Sequence, residues 1–156
     1  METGSFEFHK HQMGYVKTGD GPAVILLHGF GEDHHIFNST VSMLEKTYTV
    51  DTPDLLGTGM SPINTIPSNF SIEYLADSIA AFMEYEKIEN CVLLGHSMGG
   101  YVTVAFAKKY PKYLKGFGLL HSTVLPDTPL KIENRTRGIS FIQKFGAATF
   151  LETTAP

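Results

Sequence analysis

Ten residues near the middle of the chain constrain its fold more than any other segment. Residues 91–95 form an apolar run that ends in glycine and continues as His-Ser-Met-Gly-Gly. This pattern predicts a buried strand, a sharp turn and a helix start, with Gly95, Gly99 and Gly100 small enough for a strand and helix to meet closely. A serine at the tip of such a turn is exposed beside a helix N-terminus and can attack a carbonyl carbon. We therefore predict that Ser97 is a nucleophile.

A second glycine-containing turn follows an apolar run at residues 23–27. The turn consists of His28, Gly29, Phe30 and Gly31. A continuous apolar run is typical of a strand that is covered on both faces, as in a parallel sheet. The backbone N–H of Phe30 can then point to a developing oxyanion, and the N–H of Met98 is the second predicted donor. We interpret His28 as a residue that holds the loop by hydrogen bonds.

A third motif, Asp-Leu-Leu-Gly-Thr-Gly-Met-Ser at residues 54–61, follows a short predicted strand at residues 48–51. We interpret Asp54 as a carboxylate that fixes the loop by accepting backbone hydrogen bonds. Gly57 and Gly59 are predicted to supply positive φ angles. No helix start follows them directly, so the motif does not predict a phosphate-binding loop.

The three motifs HGFG, DLLGTGMS and GHSMGG, in this order and spacing, resemble the α/β-hydrolases of the single-domain esterase and lipase-like kind. The resemblance implies an α/β fold with a mostly parallel sheet and flanking helices. It also implies that Ser97 attacks esters or related acyl and carbonyl substrates through an acyl-enzyme. The oxyanion hole would come from the backbone N–H groups of Phe30 and Met98.

The family's catalytic order is Ser, then Asp or Glu, then His, and the residues after Ser97 depart from it. They contain one His, His121, and one Asp, Asp127, in the reverse order. We therefore expect the chain to match the N-terminal part of a hydrolase, truncated after about the sixth strand and the start of a helical cap. The usual triad acid and base would be absent, and whether the chain is active alone is left open.

The sequence predicts a hydrolase core over residues 1–126 and the start of a cap or lid over residues 127–156. Asp33 and Ser71 are predicted N-caps of the two helices that precede the central strand. Pro111 is predicted to end the next helix. The predicted strands and helices, besides those above, cover residues 6–8, 14–18, 37–44, 72–83, 98–110, 117–121, 131–145 and 147–151.

Four residues are predicted to line a pocket: Ile36, Phe37, His121 and Leu125. The apolar members of this set, together with Phe30 and residues of the cap, favour a small to medium apolar acyl group. His121 would stand at the carboxyl end of a strand, where the active sites of open α/β sheets gather, and a role as the base is the less favoured interpretation. His96 is interpreted as a packing residue, because adjacent side chains at a sharp turn point apart.

Charged residues and cysteine indicate the class of protein and its surroundings. His34 and His35, with Glu32 and Asp33, are interpreted as a solvated helix start, and neither a metal nor an organic cofactor is predicted. The formal net charge of −4 argues against nucleic acid. No apolar run is long enough for a membrane helix, and no secretory signal is present. A single cysteine, Cys91, indicates a reducing cytoplasm.

Four alternatives remain open from the sequence. The chain could be a non-catalytic ligand-binding protein on a hydrolase scaffold. It could also be a carbon–carbon bond hydrolase, an acyltransferase or a cofactor-free peroxidase that uses the same serine turn. An unpaired edge at residues 117–121, left by missing strands, predicts that the chain either self-associates or is a fragment of a longer protein.

Overall fold

The computed structural model describes residues 1–154 and contains one six-stranded sheet. The chain divides into two compact units, Met1–Thr123 and Val124–Pro156. Ala155 and Pro156, the end of the predicted cap, lie outside the described residues. The strands are β1 (Glu2–Phe8), β2 (His11–Thr18), β3 (Ala23–Leu27), β4 (Thr49–Pro53), β5 (Cys91–His96) and β6 (Leu114–Leu120).

The strands lie in the order β1-β2-β4-β3-β5-β6. β1 and β2 form an antiparallel hairpin, and β2 pairs antiparallel with β4. The pairs β3–β4, β3–β5 and β5–β6 are parallel. Carboxyl ends of parallel strands meet at one edge of a sheet, so the residues that follow β3, β4 and β5 are brought together. The predicted α/β fold with a mostly parallel sheet is confirmed.

The central strand β3 is buried on both faces, as its continuous apolar sequence predicts. Ile25 and Leu27 belong to the larger core cluster, together with apolar residues of the helices α2 (Ile72–Tyr85) and α3 (Met98–Lys109). Val24 and Leu26 point to the other face and pack in a second cluster. This alternation places helices on both sides of the sheet.

The two predicted N-caps are confirmed. Ser71 is extended, and its hydroxyl accepts a hydrogen bond from the N–H of Tyr74 at 3.1 Å. The Asp33 carboxylate accepts the N–H of His35 at 2.9 Å. Asp33 caps a 3₁₀-helix, His34–Phe37, and α1 (Asn38–Leu44) follows it, so the predicted single helix is two short ones.

β6 begins earlier than predicted and lies at the edge of the sheet. It ends at Leu120, because His121 adopts a left-handed φ of 47° that leaves the extended conformation. Phe117 on this strand is 53% exposed. Among residues 1–154 no strand pairs with the outer side of β6, so this edge offers apolar surface and unpaired backbone groups. Self-association through it stays a prediction.

The second unit contains two helices, α4 (Pro129–Phe145) and α5 (Ala147–Thr154). Gly146 separates them with a φ of 88°. Within this unit the rings of Phe141 and Phe150 lie 6.0 Å apart, which joins the two helices. None of the helices among residues 1–154 is long and apolar enough to span a bilayer.

Candidate active site

Ser97 occupies the turn between β5 and α3 in a strained backbone conformation, with φ 50° and ψ −113°. Few residues other than glycine adopt this region, and such strain is found mostly at functional sites. Three hydrogen bonds hold the turn. The Ser97 N–H donates to Leu120 O at 3.0 Å, while its carbonyl accepts from the N–H of Gly100 at 3.0 Å and the hydroxyl of Ser122 at 2.8 Å. The side chain is half-buried.

Each glycine of this turn stands where another main chain or side chain approaches closely. A side chain at Gly95 would collide with the carbonyl of Gly99, and one at Gly99 with the carbonyl of Leu27. A side chain at Gly100 would collide with Ser122. Glycine at these three positions therefore allows α3 to begin in direct contact with β3 and β5.

The turn after β3 lies directly against Ser97. A β-carbon added to Gly29 would stand 3.0 Å from the Ser97 β-carbon. Gly31 has a φ of 73°, which reverses the chain after Phe30. Met98 follows Ser97 in the chain, and Phe30 follows Gly29, which faces the serine. Their service as oxyanion donors stays a prediction.

His28 is completely buried beneath this turn. Its Nε2 accepts the N–H of Leu55 at 2.9 Å, so Nδ1 carries the proton and donates to Gly29 O at 2.9 Å. Burial lowers the pKa of His28, which keeps the ring neutral near pH 7. The ring therefore joins the turn after β3 to the loop after β4.

Asp54 holds the loop after β4. Its Oδ1 accepts the N–H of His34 at 2.8 Å, and its Oδ2 accepts the N–H of Met60 at 2.8 Å. Gly59 has a φ of 46°, and a side chain there would collide with the Asp54 carboxylate. Gly57 also has a positive φ, of 93°. The predictions for Asp54 and these two glycines are confirmed.

A carboxylate that the motifs did not single out as a site residue stands in this region. Glu32 Oε2 accepts the N–H of Gly29 at 2.6 Å and the Nδ1 hydrogen of His96 at 2.9 Å. His96 is thus a hydrogen-bond partner of Glu32, which corrects its interpretation as a packing residue. The signal in the sequence was an acid three residues after a turn glycine, close enough to reach back to its N–H.

The four predicted pocket residues have different surroundings. His121 is exposed, and its ring meets that of His96 edge-on with 5.9 Å between centroids. Ile36 is 43% exposed. Phe37 is instead a core residue, 4% exposed, because the 3₁₀-helix turns it toward Val24 and Leu26. Leu125 belongs to the second unit.

The described residues include a possible metal-binding group, Asp33, His34 and His35, with one donor atom of each within 4.8 Å of the others. His34 is not a solvated residue, because its Nδ1 lies 3.0 Å from both oxygens of Asp54. His35 Nδ1 lies 2.9 Å from Asp33 Oδ1. Burial raises the pKa of Asp33, but the bonds from His35 outweigh it and lower that pKa overall. These atoms thus already serve the loop's own hydrogen bonds.

The comparisons with known proteins identify the family. The model of the alpha/beta hydrolase fold family matches residues 22–149, so the chain belongs to this family. A thermophilic esterase structure from Thermogutta terrifontis superposes with a TM-score of 0.83 at 34% identity, covering 92% of this chain and 53% of that one.

Two curated relatives match shorter stretches. A pimeloyl-[acyl-carrier protein] methyl ester esterase of Aeromonas hydrophila is 36% identical over 98 residues, 63% of this chain and 37% of the relative. A magnesium-chelatase 30 kDa subunit of Rhodobacter capsulatus is 32% identical over 98 residues, 62% of this chain and 34% of the relative. The chain spans about a third of the length of these two relatives.

Proposed function

We propose that this chain carries the nucleophile half of a serine hydrolase that cleaves esters or related acyl compounds. The single observation that carries the proposal is the backbone of Ser97, held at φ 50° by close-packed glycines. For packing alone, an unstrained residue between the strand and the helix would serve better than a strained serine. It exposes the hydroxyl at the N-terminus of α3, where negative charge is stabilised.

In the proposed reaction, Ser97 Oγ attacks the carbonyl carbon while its proton passes to a base. The new Oγ–C bond turns the carbonyl into an oxyanion, which the N–H groups of Phe30 and Met98 stabilise. The bond from carbon to the leaving alkoxide then breaks, the alcohol departs with the proton, and water hydrolyses the acyl-enzyme. The base is not assigned; His121 is the candidate within the described residues.

The similarity to the two esterases supports esters as the substrate class. Phe30 and Ile36 are exposed apolar side chains on the segment that carries the proposed oxyanion loop. They support a small to medium apolar acyl group as the substrate.

Fluorophosphonate labelling followed by intact-mass measurement tests the proposal, because these reagents react appreciably only with an activated serine. We expect a single adduct on the chain. We expect none on Ser97→Ala, because that substitution removes the hydroxyl while keeping the same backbone strain. Ser42→Ala, at an exposed serine of α1, is the matched control and should label like the parent chain. An adduct that persists in Ser97→Ala would contradict the proposal. A folded parent chain that forms no adduct would show that the site is half built, with no base in this chain that activates Ser97.

A second candidate is a non-catalytic binding subunit on the same scaffold. The similarity to a relative named as a subunit of a magnesium chelatase favours it. Ser97→Ala separates the two functions. A binding protein should keep its ligand affinity and show no ester turnover before or after the substitution.

A further inference from the structure

The Glu32 carboxylate joins two segments that are far apart in the sequence. One oxygen, Oε2, accepts both the N–H of Gly29, at 2.6 Å, and the Nδ1 hydrogen of His96, at 2.9 Å. Gly29 belongs to the turn after β3, and His96 is the last residue of β5. Because a single atom accepts both bonds, the turn and the end of β5 cannot shift independently without losing one of them.

This shared oxygen lies beside the nucleophile. A β-carbon added to Gly29 would stand 2.7 Å from Glu32 Oε2 and 3.0 Å from the Ser97 β-carbon. The side of Gly29 on which a side chain would stand therefore faces both the Glu32 carboxylate and Ser97. Phe30, whose N–H is a proposed oxyanion donor, follows Gly29 directly in the chain.

We propose that Glu32 is a positioning residue that, with His96, fixes the oxyanion turn relative to Ser97. The role rests on the proposed serine chemistry and adds two residues to it. Oxyanion donors stabilise a transition state only if they are oriented before the reaction begins. Glycines at 29 and 31 allow a wide range of backbone angles. The Glu32 carboxylate adds a hold on the Gly29 N–H to the hold that His28 has on the Gly29 carbonyl.

The kinetic test compares Glu32→Ala, which removes the acceptor, with Glu32→Gln, whose amide oxygen can still accept both N–H groups. Misplacing a catalytic group by about 1 Å can cost roughly 100-fold in rate. We expect Glu32→Ala to slow fluorophosphonate labelling and kcat for p-nitrophenyl butyrate by roughly 10- to 100-fold, with KM within about twofold. Glu32→Gln should restore the rates to within about threefold of the parent chain.

Glu89→Ala is the matched control, because this exposed acid lies just before β5, at the opposite end of that strand from Ser97. It should leave the rates unchanged. His96→Phe is the second variant and keeps a ring while removing the Nδ1 donor. If Glu32→Ala does not fold, His96→Phe must show the slower labelling on a folded chain.

Amide hydrogen exchange of Gly29, followed by NMR, measures the contact without any activity. We expect exchange to be at least about tenfold faster in Glu32→Ala than in the parent chain, and close to the parent in Glu32→Gln. Unchanged exchange in Glu32→Ala would overturn the proposal whatever the kinetics. Normal labelling of Glu32→Ala on a chain that reacts would overturn the positioning role alone. A parent chain that forms no adduct would show that Ser97 is not activated in this chain, and the exchange of Gly29 alone then decides whether Glu32 holds the turn.

Discussion

Two buried carboxylates, three residues apart, have opposite surroundings. Asp51 lies within β4 and Asp54 directly follows it, and both are 0% exposed. The oxygens of Asp54 accept backbone N–H groups from His34 and Met60 at 2.8 Å. Both oxygens of Asp51 lack a hydrogen-bond partner among residues 1–154. Burial raises the pKa of Asp51 to about 6.

Satisfied and unsatisfied carboxylates thus lie toward opposite ends of the parallel strands. At the carboxyl end, buried polar groups are tied to one another and define the loops around Ser97. Asp51 lines a cleft at the amino ends of β3 and β4, together with Ala23 and Thr49. A buried carboxyl without hydrogen-bond donors lowers the stability of the folded state when it ionises. A buried carboxylate with matched donors instead fixes the loops that supply them.

The largest expected effect comes from removing the satisfied carboxylate. Asp54→Ala leaves the N–H groups of His34 and Met60 without their acceptor. We expect it to lower the free energy of unfolding, measured in urea, by about 3–5 kcal/mol. Asp20→Ala, at an exposed position, is the control. A loss below about 1 kcal/mol would show that water replaces Asp54 at little cost.

Removing the unsatisfied carboxylate should have the opposite sign. The pKa of Asp51 in the folded chain is above its ordinary 3.8, so folding favours the protonated form. The stability from this protonation is complete below about pH 4 and is lost as the pH rises through about 6. We expect Asp51→Asn to be as stable as the parent at pH 4 and about 3 kcal/mol more stable at pH 8. Equal stability of the two chains at pH 8 would contradict this expectation.

The smallest effect concerns the charges near Asp51. Lys17 lowers the pKa of Asp51 by its positive charge, and Glu86 raises it. Lys17 also pairs with Glu86 at 2.6 Å, so Lys17→Met removes a cation and leaves an anion unpaired. We expect the NMR titration midpoint of the Asp51 carboxyl to rise by roughly half a pH unit. Lys46→Met should leave the midpoint where it was, and a fall in the Lys17 variant would reverse the argument.

Local sequence predicted most of the fold and the turns of the site. Apolar runs gave the buried strands, and Ser71 and Asp33 marked helix starts, because these signals depend on neighbours a few residues away. Phe37 was misassigned to a pocket, since helical spacing shows which residues share a face and not which way that face points. β6 was predicted three residues short, because its glycines conceal the first part of the strand.

The contacts that needed a three-dimensional partner could not be derived from the sequence. Glu32 and His96 are 64 residues apart, and His34 and Asp54 are 20 apart. The parallel order of strands implies only that such residues share an edge. Which donor meets which carboxylate depends on rotamers and loop geometry. The lack of a hydrogen-bond donor at Asp51 could not be predicted either, because no sequence pattern shows which donors will lie near a buried carboxylate.

The backbone of Ser97 also bears on how related chains change over time. At φ 50° a glycine would be free of the strain that serine carries, so mutation toward stability favours replacing this residue. Serine is therefore expected to persist at this position only where its hydroxyl is under selection. Where the hydroxyl is no longer needed, replacement by glycine would relieve the strain. The residue at this position in related chains therefore indicates whether the hydroxyl is still used.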